Sequence, residues 1–226
     1  MEVVELKRVP ALEAVDLYRF FHAGDDETLA LRGVSLTLWP GEIVAVVGPS
    51  GSGKSTLLAC LAGLDEPDGG MVRVNGERVS RRSEGHRAKA RATSVGILMQ
   101  SGNLLEHLTV GENIRLSRAL APATHHPEDV LDRVGLPGRA SAVPSHLSGG
   151  EAARAGLAVA LASNPSILLA DEPTGEVDAE NERKIVDILR AEAARGTAVL
   201  VVTHSERLAA AADRIVRLRD GVVVNG

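Results

Sequence analysis

The sequence predicts an α/β fold: a mostly parallel sheet covered on both faces, a small antiparallel β part and an inserted helical subdomain. Three observations carry this. The apolar, β-branched run from Ile43 to Val47 meets a small-residue loop at Gly48, and Leu57, Leu58 and Leu61 then fall at helical spacing. The same alternation returns near the C-terminus, with strand Ile167 to Ala170, helix 179–194, strand Ala198 to Val202, helix 205–212 and strand 214–218. Between about 101 and 165 the strand patterns vanish, and helical stretches near 109–120, 127–134 and 149–162 are parted by Pro122, Pro137 and Pro144. Alternating β and α elements build parallel sheets, because each crossover helix must lie on a face of the sheet.

Taken in order, Ala11 to Val15 and Val34 to Trp39 read as strands, with a polar loop at 22–27 between them. Pro40-Gly41 turns the chain into the strand that precedes Gly48, and Gly63 ends the helix after it. Pro67 to Gly70 is a turn, Met71 to Val74 a strand and Asn75-Gly76 a second turn. A basic helix is expected over 80–92 and a strand over Ser94 to Met99. Asp220-Gly221 closes a terminal hairpin with Val222 to Val224. The expectation is one domain over 1–226, its core formed by about 1–100 and 166–226 and its helical subdomain by about 101–165.

The chain has 226 residues, 44% apolar but only 2% aromatic, so its core must be built from Val, Leu, Ile and Ala. A net charge of -5 gives no reason to expect a nucleic-acid partner. Cys60 is the single cysteine, so no internal disulfide can form, and its place on the apolar side of a helix reads as packing. The N-terminus lacks a signal pattern, and no apolar run nears the roughly 18 residues of a membrane span. A cytoplasmic protein is expected, meeting a membrane only through a partner.

Gly48 to Ser55 reads G-x-x-x-x-G-K-S between a strand and a helix. The glycines let backbone N–H groups wrap polyphosphate oxygens, and the helix N-terminus adds positive potential. Lys54 would reach the β- and γ-phosphates and the Ser55 hydroxyl would sit on Mg²⁺, so the chain is read as binding a nucleoside triphosphate. Asp171 and Glu172 end an apolar strand, where α/β sheets gather ligands. The first suits Mg²⁺ and the second could orient or deprotonate a water attacking the γ-phosphate. His204 closes another strand at the same sheet edge, in reach of phosphate or water. Gln100 either contacts Mg²⁺ or that water, or caps loop backbone. Ser148-Gly149-Gly150-Glu151 opens a helix as a capping box, and the same exposed start is compatible with a second anion site. A helix start of this kind need not serve its own chain's nucleotide, which invites a dimer.

Together these stretches resemble the nucleotide-binding domain of ABC ATPases. Gly48 to Ser55 looks like Walker A, Gln100 the Q-loop, Leu147 to Glu151 the signature, Ile167 to Glu172 Walker B, Asp178 the D-loop and His204 the H-loop. The resemblance implies ATP and Mg²⁺, with Gly48, Ser50, Gly51, Gly53, Lys54, Ser55 and Thr56 on the nucleotide and Ser55, Gln100 and Asp171 at the metal. It implies catalytic roles for Glu172, His204, Gln100 and Lys54. It also implies a head-to-tail dimer in which Ser148, Gly149, Gly150 and Asp178 of one copy face the nucleotide of the other. An integral membrane permease subunit would be received near Gln100, placing the chain on the inner face of the cell membrane.

Leu29 to Leu36, Leu104 to Asn113 and Leu169 to Gly175 are similar to the lipoprotein-release, macrolide-export and cell-division branch. Of Tyr18, Phe20 and Phe21, aligning Arg19 with the family's basic position favours Phe21 as the aromatic on adenine. The chain departs from the pattern at Glu151, where the family usually has Gln, at Val159, which replaces an arginine, and at Val177 before Asp178. The alternatives are a regulator acting through a membrane partner, a soluble ABC ATPase without the usual inserts, and a P-loop kinase, which Leu147 to Glu151 and His204 argue against.

Overall fold

The structure, a computed structural model, describes residues 9–23, 26–119, 126–175 and 177–224. Two long strands open it, β1 (Leu12–Ala23) and β2 (Asp26–Leu38), followed by β3 (Ile43–Val47) and α1 (Lys54–Leu61). Then come β4 (Gly69–Val74), β5 (Glu77–Arg78), α2 (Glu84–Ser94) and β6 (Val95–Leu98). The described residues between β6 and β7 (Ile167–Asp171) carry helices alone: α3 (Val110–Arg118), α4 (Pro127–Arg133), a 3-10 turn and α5 (Gly149–Leu161). The chain ends through α6 (Ala179–Ala194), β8 (Ala198–Val202), α7 (Glu206–Ala211), β9 (Arg214–Arg219) and β10 (Val222–Val224).

β1 and β2 run much further than the sequence pattern indicates. Residues 22–27 were expected as a loop, yet His22 pairs Glu27 and Ala23 pairs Asp26. Polar side chains do not break a two-stranded ribbon, because the ladder bonds are made by backbone. Register shifts in β1, with Asp16 at φ +49, change which side chains face inward, and this hid the strand's alternation.

Six strands form one sheet in the order β10-β9-β3-β8-β7-β6, parallel throughout except for the β9–β10 hairpin. A second sheet, β2-β1-β4-β5, is antiparallel. The sheets meet where Arg32 N–H donates to Gly221 O at 2.8 Å. Alternation along β3 sends Val44 and Val46 into one apolar cluster with Leu57, Leu58 and Leu61 of α1 and Leu12 and Leu17 of β1. Ile43 and Ala45 enter the other, with Leu157 and Leu161 of α5, Ile114 of α3, Leu131 of α4 and Ile185 of α6. Each of these fully buried leucines contributes about 2 kcal/mol. α5 lies close on β6 because Gly96 carries no side chain; a Cβ there would stand 2.3 Å from Ala160 O. Among the described residues no helix is long and apolar enough to cross a membrane.

Candidate nucleotide site

The parallel strands end along one edge of the sheet, and four of them deliver polar groups there. β3 runs into the loop 48–53, whose shape depends on glycine. A Cβ on Gly48 would stand 2.0 Å from Leu218 O, and one on Gly53 (φ +99) 2.4 Å from Ala30 O. Lys54 is buried at the start of α1 and its Nζ donates to Gly48 O and Pro49 O, both at 2.9 Å, which folds the ammonium back inside the loop. Ser52 Oγ is buried beneath the loop with no partner among the described residues.

β7 ends in Asp171, buried, and Glu172, whose φ of +47 is left-handed. A non-glycine residue in that region costs on the order of 1 kcal/mol, and the surroundings hold it there. Glu172 N–H donates to Val202 O at 2.9 Å, and Gly175 N–H returns to Glu172 O at 3.0 Å. The carboxylate meets the end of β8: His204 N–H donates to Glu172 Oε2 at 3.2 Å, and His204 Nε2 lies 3.4 Å from Oε1. β6 delivers Gln100, exposed, on a loop tied by Asn103, whose Oδ1 accepts Met99 N–H at 2.8 Å while its Nδ2 donates to Met99 O at 2.6 Å.

These ends share one cavity of about 890 Å³, lined by Ser50, Gly51, Lys54, Ser55, Gln100, Asp171, Glu172 and His204 among others. A second cavity of about 540 Å³ shares Gly51, Lys54 and Ser55 and adds Gly53, Thr56 and Phe21. The loop therefore sits between a carboxylate-bearing side and an aromatic side. Tyr18 does not face either cavity: its ring packs over Gly69, and its hydroxyl stands where a Gly33 Cβ would be 2.9 Å away.

The start of α5 borders the larger cavity through Gly149, Ala152 and Ala153, and Val177 joins them, but Ser148, Gly150 and Asp178 line neither cavity. Ser148 forms the expected capping box: its Oγ accepts Glu151 N–H at 3.3 Å, and Glu151 Oε2 accepts Ser148 N–H at 3.0 Å. Arg139 Nη2 donates to Glu151 Oε1 at 2.6 Å. The Ser148 N–H and then Arg139 hold this carboxyl below its ordinary range. Asp178 caps α6 through Oδ1, which accepts the N–H of Glu180 and of Asn181. Bonds from these N–H groups, Asn181 first, lower its carboxyl too.

Asn103, Arg139 and Asn181 escaped sequence reasoning. Asn103 follows Met99 by four residues, a spacing that could have signalled a loop tie. Arg139 precedes Glu151 by twelve residues across a proline-bearing turn, and no local pattern marks the pair.

The ABC transporter family profile matches residues 31–175. The macrolide export ATP-binding/permease protein MacB of Chlorobium luteolum is 42% identical over 220 residues, covering 96% of this chain and 33% of the relative. The chain thus spans about a third of the length of that relative. An uncharacterized ABC transporter ATP-binding protein of Thermotoga maritima is 41% identical over 215 residues, covering 93% of this chain and 92% of the relative. Among solved structures, the dimeric bacterial ABC transporter cassette MJ0796 superposes with a TM-score of 0.88 at 32% identity, over 95% of this chain and 97% of that one. The same cassette in a dimeric post-hydrolysis state with ADP and Pi gives 0.87. With a family profile over more than half its length and relatives above two-fifths identity, the chain belongs to the ABC transporter family as its ATP-binding cassette.

Proposed function

We propose that this cassette hydrolyses ATP between two copies of itself and passes the resulting closure and opening to an integral membrane permease. The observation that carries the reading is the division of the polar groups. Lys54, Asp171, Glu172 and His204 line one cavity, whereas Ser148 and Asp178 stand exposed outside it, available to a second copy. In this reading the loop N–H groups and Lys54 hold the β- and γ-phosphates, and Phe21 receives the base. Glu172 orients the attacking water and takes its proton, and His204 holds Glu172 in place from the end of β8. The donor set of Ser55, Gln100 and Asp171 is all oxygen and suits Mg²⁺, which when bound balances charge on the phosphates. Residues 101–165 would be the helical unit of a single cassette over 1–226, with Gln100 at its junction with the core. The dimeric MJ0796 structures and the fused permease in the MacB name support the self-dimer and the membrane partner. The chain would then lie on the inner face of the cell membrane.

The test is Glu172→Gln. ATP turnover is expected to fall by about a hundredfold or more, because the amide cannot take the proton. ATP should still bind, and the loaded protein should run as a dimer in size-exclusion chromatography with light scattering. A loaded Glu172→Gln protein that stays monomeric, or a variant that turns over like the parent, removes this mechanism.

A further inference from the structure

The cap of α6 and the start of α5 are joined through one side chain. Asn181 Nδ2 donates to both Asp178 carboxylate oxygens, each at 3.1 Å, while Asp178 Oδ1 accepts the Asn181 backbone N–H at 2.8 Å. At its other end Asn181 Oδ1 accepts Arg154 Nη1 of α5. Gly150 rests on the same amide: a Cβ there would stand 2.1 Å from Asn181 Cγ. Arg154 is 6% exposed and its Nε has no partner among the described residues, so this buried cation depends on the asparagine.

The chemistry of the position is demanding. One side must donate to a carboxylate and the other must accept from a guanidinium, which an amide does in a single short side chain. Aspartate would accept from Arg154 but set a second carboxylate against Asp178. Alanine would leave Arg154 without its acceptor and open a gap under Gly150. A buried cation stripped of its hydrogen bond is costly, so the joint is rigid while the amide is present.

We propose that Asn181 is a positioning residue that fixes the signature face, Ser148 to Gly150, relative to Asp178, so that both meet the second copy's nucleotide as one surface. The proposal rests on the dimer reading above. Misplacement by about 1 Å costs on the order of a hundredfold in rate, so a single rigid joint matters to turnover.

The experiment compares Asn181→Ala and Asn181→Asp in the full chain. In the nucleotide-free protein, amide hydrogen exchange over 149–154 is expected to quicken about tenfold or more in Asn181→Ala. Asn181→Asp, which keeps an acceptor for Arg154, should retain that protection. Both variants should lose turnover by about tenfold or more, because both lose the side-chain amide that donates to the two Asp178 oxygens. ATP affinity of the single chain should stay within about twofold, since the phosphate loop shares no partner with Asn181. A merely structural role would not separate exchange from turnover in Asn181→Asp. Unchanged exchange in Asn181→Ala, or parental turnover in Asn181→Asp, overturns the proposal. A loaded Glu172→Gln parent that stays monomeric strikes the dimer reading instead, and the exchange comparison still decides whether Asn181 holds the two segments together.

Discussion

The Arg19 guanidinium lies over the Phe21 ring, its carbon 4.8 Å from the ring centre. The two residues stand two apart on β1, so the strand's period puts them on one face. Arg19 is itself fixed, donating from Nε and Nη2 to Asp65 at 2.7 and 2.9 Å and from Nη1 to Asp68 at 3.0 Å. These bonds, Asp65 first, raise its pKa above the ordinary arginine value. A cation held at this distance orients the ring and withdraws density from it, for about 0.5–1 kcal/mol. Phe21 is 43% exposed and borders the cavity that also touches Gly53 and Thr56.

Phe21→Ala should therefore weaken ATP by about tenfold, the stacking of one base, and leave inorganic tripolyphosphate binding unchanged. Arg19→Met should weaken ATP by about threefold through the freed ring. Calorimetric titration of both ligands reads this directly. ATP affinity indifferent to Phe21→Ala would move the base to another side chain.

Gly48→Ala and Gly53→Ala should each destabilise the chain by about 3 kcal/mol or more and abolish ATP binding. Their Cβ atoms would meet the carbonyls of Leu218 and Ala30, which are backbone and cannot swing aside. Gly51→Ala meets no atom within 4 Å and bears only the strain of its φ of +77, so it should be the mildest of the three. Urea unfolding ranks them, and a Gly48→Ala protein of parental stability would show that β9 can yield.

Glu151, where the family usually carries glutamine, is turned back onto the helix start by Ser148 N–H and Arg139. Glu151→Gln should therefore leave turnover within about twofold. Because the folded pKa is depressed, the unfolded chain binds more protons in the acid range. The stabilisation is full above the ordinary glutamate value and is lost as pH falls through the folded one. Protection of the 149–152 amides should fall across that window in the parent and vary less in Glu151→Gln. A flat parental profile would mean that the carboxylate is not holding the cap.

Arg133 clamps α4 to α6 through Glu192, whose carboxylate is 2% exposed and also meets Arg195 Nη1 at 3.4 Å. Arg133→Ala should cost about 3 kcal/mol by leaving a buried carboxylate short of its partner. ATP affinity should not change, because this pair lies near the starts of β7 and β8, away from the carboxylate-bearing ends. Denaturant midpoints beside nucleotide titrations check both halves, and a loss of ATP affinity equal to the loss of stability would link the two ends of the sheet.

How much was legible follows the range of the interaction. The phosphate loop and the runs Ile167 to Glu172 and Ala198 to His204 are local patterns, in which a buried parallel strand is a short apolar run and its polar end is the next residue. Their meeting in one cavity follows from parallel topology, since parallel strands end on the same edge. The extent of β1 and β2 was not legible, because bulges break the alternation that marks a strand and backbone ladders tolerate polar side chains.

By itself the sequence determined the fold class, the nucleotide ligand and the family, because period, glycine spacing and strand-end carboxylates are set within stretches of about ten residues. Only the tertiary structure decided that Arg19 backs Phe21, that Arg139 braces Glu151 against the helix start, and that Gly150 is glycine because Asn181 fills its space. The last two contacts join separate helices or cross an irregular turn, and Arg19 is fixed for Phe21 by Asp65 and Asp68 from far along the chain. The side chains involved are ordinary surface types until packing fixes their partners.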